Sequence, residues 1–199
     1  VVPGHRTAFF HKGDYTNTFA RKMETPKARA QSMWYNDEMP YTLENSIRAD
    51  IAGQVLDMIY LKKIREEASA AYSVSAIGRA QLREDKTHSM MLYAVCPMKP
   101  EKRQEAVSIL EQEVKDLANT CDASMVAKIK ELMLKQADDA VKSNGYWYNV
   151  IEMYDKYGID SHSDYKKLIE AQTPETICSF MKEFNKNGNR LGVVMLPAE

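Results

Sequence analysis

Cysteine, histidine and glycine are scarce in this chain, and each scarcity excludes a class of chemistry. Only three cysteines occur in 199 residues, Cys96, Cys121 and Cys178. They are far apart, odd in number and form no CxxC pair, which argues against a zinc knuckle or a disulfide framework. Cys96 lies in an apolar run and reads as a small core residue. The four histidines are His5, His11, His88 and His162. No two share the one-turn helical spacing of a metal pair, and neither H-x-x-E-H nor H-E-x-x-H is present, so the chain has no zinc-protease core of its own. A zinc site needs three or four convergent ligands, and the histidines read as structural or solvated. Eight glycines form no phosphate-binding loop and no nucleophile elbow. The formal net charge is -1, which gives no electrostatic case for nucleic acid or an anionic membrane. No apolar run is long enough to span a bilayer.

What remains is an ordinary globular composition, with 44% hydrophobic residues to build a core. The chain starts Val1-Val2-Pro3-Gly4 without methionine or signal peptide. The expectation is one domain over 1–199, the C-terminal fragment of a longer polypeptide.

Local patterns predict the elements. His5 to His11 reads as a strand, with Lys12-Gly13-Asp14 as a turn. Thr18 to Glu24 and Ala28 to Tyr35 flank Thr25-Pro26 as strand, turn and strand. Thr42 can cap a helix whose apolar face is Leu43, Ile47, Ile51, Val55 and Ile59, and Lys62, Lys63 and Arg65 crowd its last turn. Ser73 to Ala80 and Ser89 to Cys96 read as a hairpin around Arg83-Glu84-Asp85-Lys86. Both faces of its second strand are apolar, which predicts a central strand covered on both sides. Pro100 opens a helix, Asp122 caps the next, and Asn144-Gly145 breaks it. Helices over Tyr146–Tyr157 and Ser163–Ala171 follow, then one capped by Thr173 with Pro174 in its first turn. Leu191 to Leu196 is a final strand that should pair with the early ones. The sum is an α+β fold, an antiparallel-rich sheet with helices packed on one face.

Gly53 sits inside the long helix and reads as a close-packing position. Glu66 and Glu67 read as a solvated charge cluster. Tyr146, Trp147, Tyr148, Tyr154 and Tyr157 read as a core layer at helical spacing, a binding shelf being the alternative. Arg65 and Tyr72 bracket the passage from the long helix to the next strand. On spacing alone Arg65 satisfies helix carbonyls and Tyr72 opens a strand. The other reading is a pair of donors converging on a peptide carbonyl or oxyanion.

Three ordered segments resemble the non-catalytic C-terminal domain of the pitrilysin/insulinase family of zinc metallopeptidases, which includes mitochondrial processing peptidase. Leu61-Lys-Lys-Ile-Arg65-Glu-Glu-Ala-Ser-Ala-Ala-Tyr72-Ser-Val74 is similar to the family's L-R-E-x-x-G-x-x-Y-S-V. Asn144-Gly145-Tyr146-Trp147 is similar to its N-x-x-W. Ile169-Glu-Ala-Gln-Thr173-Pro174-Glu175-Thr-Ile177, with Asn189-Arg190-Leu-Gly-Val-Val-Met195-Leu-Pro197, is similar to its closing I-x-x-I-T-P-E-D-I and final strand. The chain departs from the pattern in the turn, where the family has glycine and this sequence has Ala68-Ser69-Ala70-Ala71.

The resemblance implies a clam-like peptidase of repeated domains. Zinc would be bound by a different domain, not by this chain, and peptide hydrolysis would use a zinc-activated water. Arg65 and Tyr72 would bind substrate backbone and stabilise the oxyanion, with Ser73, Val74, Ser75 and Ala76 helping to line the chamber. The implied partners are an N-terminal zinc-bearing domain, on the same polypeptide or a partner subunit, and a peptide substrate. A periplasmic or other bacterial compartment fits the resemblance. The chain alone would be inactive. The competing expectations are a non-peptidase assembly subunit, like the core subunits of respiratory complex III, and a free-standing peptide-binding module.

Overall fold

The structure, a computed structural model, describes residues 11–83 and 86–198. Five strands and six α-helices follow one another: β1 (Asp14–Arg21), β2 (Ala28–Asn36), α1 (Leu43–Tyr60), β3 (Ser75–Leu82), β4 (His88–Met98), α2 (Arg103–Asp116), α3 (Ala123–Ala140), α4 (Asn144–Tyr157), α5 (Tyr165–Glu170), α6 (Pro174–Phe184) and β5 (Arg190–Pro197). The strands form one sheet in the order β1-β5-β2-β4-β3. Only β1 and β5 pair in parallel; the other three pairings are antiparallel. The α+β expectation of an antiparallel-rich sheet with helices on one face is what the chain forms.

Strand alternation assigns the two faces. Ala28, Ala30 and Trp34 of β2, and Met90, Leu92, Ala94, Cys96 and Met98 of β4, are buried under the helices. Their odd-numbered neighbours Gln31, Met33, Met91, Tyr93 and Val95 are only partly covered. The prediction that β4 is covered on both sides is therefore corrected. Its second face is only partly covered along Met91, Tyr93 and Val95, and fully covered at Ser89 and at the neighbouring Tyr35 of β2.

Other expectations shift. The strand expected over His5–His11 lies outside the described residues but for His11, which precedes β1 as irregular chain. Gly13 turns the backbone at φ 88, and β1 begins at once, four residues earlier than the Thr18 start. Thr25-Pro26 does not make a hairpin: β5 lies between β1 and β2 and pairs with both. Asn144 and Gly145 fall inside the first turn of α4, after Ser143 at its N-cap.

The helical layer follows its sequence signals. Thr42 accepts from the Asn45 amide at 3.0 Å, and Ile47, Ile51, Val55 and Leu56 bury the inner face of α1. Each such aliphatic side chain contributes about 2 kcal/mol of apolar burial. Asp122 caps α3, and Thr173 with Thr176 forms a reciprocal box at α6 with Pro174 in the first turn. Arg190 is nearly buried at the head of β5. It is answered by Asp14 at 2.8 Å and Glu111 at 2.9 Å, beside a cavity of about 260 Å³.

Candidate functional site

α1 does not stop where its α-helical bonding stops. From Leu61 to Glu67 the chain continues as a π-helical segment with the wider i to i+5 bonding. Ile64 is its buried residue, fixed in the core. Two contacts tie this end of the helix to α2. The Tyr60 hydroxyl donates to the Leu110 carbonyl at 2.8 Å in the interior, and burial pushes that phenol well above its usual range. Lys63 donates to the buried Glu113 at 2.5 Å. Arg65 projects from the exposed side of the same segment.

The exit is a capped turn. The Ala68 amide donates to the Lys63 carbonyl at 3.0 Å, and the Ala70 amide to the Ile64 carbonyl at 2.9 Å. The second closure runs from residue i+6 back to residue i, one residue wider than the 6→1 bond of a Schellman cap, and like that cap it encloses one left-handed residue. That residue is Ser69, at φ 49. Counted from Arg65, the glycine of the pitrilysin-family pattern falls on Ser69. The turn thus keeps the left-handed backbone without the glycine.

Past the turn, Ala70 and Ala71 are buried, the Lys99 amide donates to the Ala70 carbonyl at 3.0 Å, and Ala71 bridges to Met98. These contacts pin Tyr72 to the end of the sheet where β2 starts and β4 finishes. Its ring is 85% exposed and lines a cavity of about 540 Å³ with Pro26, Lys27, Pro97, Lys99 and Glu101. Tyr72 is not the first residue of a strand: β3 starts at Ser75.

Arg65 and Tyr72 stand at the two ends of one short hydrogen-bonded turn. Neither side chain makes a hydrogen bond or ion pair among the described residues. Both donors are therefore available to a ligand. Ser73 and Ser75 are exposed beside them, whereas Val74 and Ala76 turn into the core. The Ala76 amide is already taken by the Asp57 carboxylate at 2.8 Å. Side-chain contact from this stretch falls to the two serines.

The remaining candidates separate. Glu66 and Glu67 are exposed. Gly53 is a packing contact against Gly78. The aromatic stretch is not a core layer: α4 has no buried residue, and Tyr148, Ile151 and Tyr154 are each about two-thirds exposed. Its spacing was helical, but only half of an amphipathic pattern was matched by a partner surface. His162 bonds Tyr146 at 2.8 Å, and His11 rests on the Tyr15 ring. Among the described residues no group of three or more His, Cys, Asp or Glu is placed to hold a metal ion. No helix among them is long and apolar enough to cross a membrane. Lys27 and Lys99 were not singled out by the sequence. They come from separate loops, and only strand register brings them beside Tyr72.

A sheet of this order with helices on one face is the fold seen in solved structures of M16 peptidases and their inactive domains. The periplasmic protease PqqL from Escherichia coli superposes with a TM-score of 0.74 at 22% identity, over 94% of this chain and 21% of that one. The M16 inactive domain from Pseudomonas fluorescens gives 0.68 at 11% identity, over 92% and 44%. An inactive peptidase domain assigned to a zinc protease of Bordetella parapertussis gives 0.69 at 11% identity, over 90% and 95%. The chain thus spans about a fifth of PqqL and nearly all of the Bordetella domain. No family sequence model and no curated protein sequence matches it.

Proposed function

We propose that this chain is a catalytically incomplete, substrate-binding domain of a peptide-hydrolysing zinc metallopeptidase. Arg65 and Tyr72 donate hydrogen bonds to backbone carbonyls of the substrate and to the oxyanion that develops on one of them. The metal belongs to another domain, on the same polypeptide or on a partner subunit. A guanidinium and a phenol are strong donors to such charge, and the turn fixes the backbone points from which the two side chains start. Ser73 and Ser75 extend the contact surface.

The observation that carries this reading is the turn at Ser69. A non-glycine residue held at φ 49 costs about 1 kcal/mol, and the chain keeps it between two exposed, unpartnered donors. The description of PqqL as periplasmic favours that compartment for this chain as well.

A second reading is a non-peptidase assembly subunit of the same fold. The exposed face of α4, with Trp147, Tyr148, Ile151 and Tyr154, favours it as a packing surface. The two readings part in the assembled peptidase. Arg65→Ala or Tyr72→Phe should lower kcat about 100-fold, the scale of losing one oxyanion donor, with zinc content unchanged. Near-normal turnover in both variants would remove the peptidase role and leave the assembly role.

A further inference from the structure

We infer that the polypeptide segment taken by the Tyr72 end of the sheet is acidic, with apolar residues flanking its carboxylates. The inference rests on the substrate-binding reading above and adds the chemistry of the substrate.

Charge balance over the whole chain is close to even, 27 basic against 28 acidic residues. At this end of the sheet it is not. Lys27 and Lys99 line the cavity beside Tyr72, and Glu101 is the one carboxylate among its lining residues. Arg29 stands opposite Pro97 in the β2–β4 register, on the open face. Arg21, opposite Pro197 in the β1–β5 register, shares that face. Lys27, Arg29, Arg21 and Arg65 are exposed and Lys99 is partly covered, and none of the five forms an ion pair among the described residues. Some cations elsewhere are answered, Lys12 by Asp37, Lys63 by Glu113, Lys156 by Glu152 and Arg190 by two carboxylates. Glu24, Glu66 and Glu67 lie outside the cavity lining, as do Arg21, Arg29 and Arg65, so the cationic excess rests on Lys27 and Lys99 in the lining and on Arg21 and Arg29 on the acid-free open face.

The open face extends the same surface. Its strand positions carry no aspartate or glutamate, and its middle is apolar, with Met33, Tyr93, Ile77 and Val193. Arg79, at the far edge, is partly offset by the field of Asp50. An apolar floor that becomes cationic at one end fits an extended peptide whose apolar side chains lie on the strands and whose carboxylates reach the cavity. A basic peptide would meet like charge there.

The test is fluorescence anisotropy of this chain with three labelled, unstructured peptides of one length and one apolar content. They carry two Glu, two Gln or two Lys. The acidic peptide should bind about tenfold more tightly than the neutral one, since a few exposed ion pairs supply that much, and the ratio should collapse in 0.5 M salt. The Lys27→Gln/Lys99→Gln double variant should bring the ratio toward one, and the Lys27→Arg/Lys99→Arg variant should keep it. Equal binding of the acidic and neutral peptides, or tighter binding of the basic one, overturns the acidic preference while the peptide-binding reading stands. No binding of any peptide overturns both.

Discussion

A Cβ placed on Gly53 would lie 1.9 Å from the backbone nitrogen of Gly78, and one placed on Gly78 would lie 1.7 Å from the Ala49 carbonyl oxygen. The two glycines let α1 cross β3 backbone to backbone. That crossing fixes the height of α1 over the sheet, and so the point from which the π-helical segment and Arg65 depart.

Neither glycine can accept a methyl group without moving a helix or a strand. Gly53→Ala and Gly78→Ala should each lose about 3 kcal/mol, the upper range for overpacking. Urea unfolding of the single and double variants measures this. The double variant should lose less than the sum, because one displacement relieves both clashes. Losses under about 0.5 kcal/mol would show that α1 is free to shift.

Ser69 carries the opposite expectation. Glycine removes the steric cost of φ 49 but loosens the unfolded chain, so Ser69→Gly should gain at most about 1 kcal/mol. A β-branched residue cannot sit there comfortably, and Ser69→Val should lose about 1–2 kcal/mol. Thermal unfolding compares the three. If Ser69→Val also weakens peptide binding while Ser69→Gly leaves it intact, the turn aims Tyr72 as well as closing the helix.

Asp160 gives the pH dependence a definite sign. Its carboxylate accepts from the Ser163 hydroxyl first and from the Ser163 and His162 amides, the latter two at 2.9 Å, which hold it down at about 2. A depressed carboxylate stabilises the fold above its unfolded value near 4, and that contribution is lost as pH falls through about 2. The melting temperatures of the native chain and of Asp160→Asn should differ by a constant amount above about pH 5 and converge between about pH 4 and 2. A difference that does not change over that range would mean the loop closes without the charge.

Most of the helical layer could be read directly, because its signals are local. Thr42, Asp122 and Thr173 are caps whose partners lie three residues away or fewer. The sheet was read less well because pairing is not local. Nothing near Thr25-Pro26 announces that a strand from the other end of the chain inserts between β1 and β2. The pattern predicts burial for both faces of β4 and for the aromatics of α4. Composition reports that a surface is apolar, but not whether a neighbour covers it. The Arg65–Tyr72 junction was legible as a spacing. Its conformation at Ser69 was not, since serine carries no preference for the left-handed region.

A π-helical turn holds one more residue than the α-helical turn it replaces. Two helices of equal length in space can therefore differ by a residue in sequence. Matching this chain residue by residue to an unbroken α-helix will slip by one somewhere within Leu61–Glu67. Arg65 should accordingly be counted backward from Tyr72, across the capped turn, and not forward from Thr42.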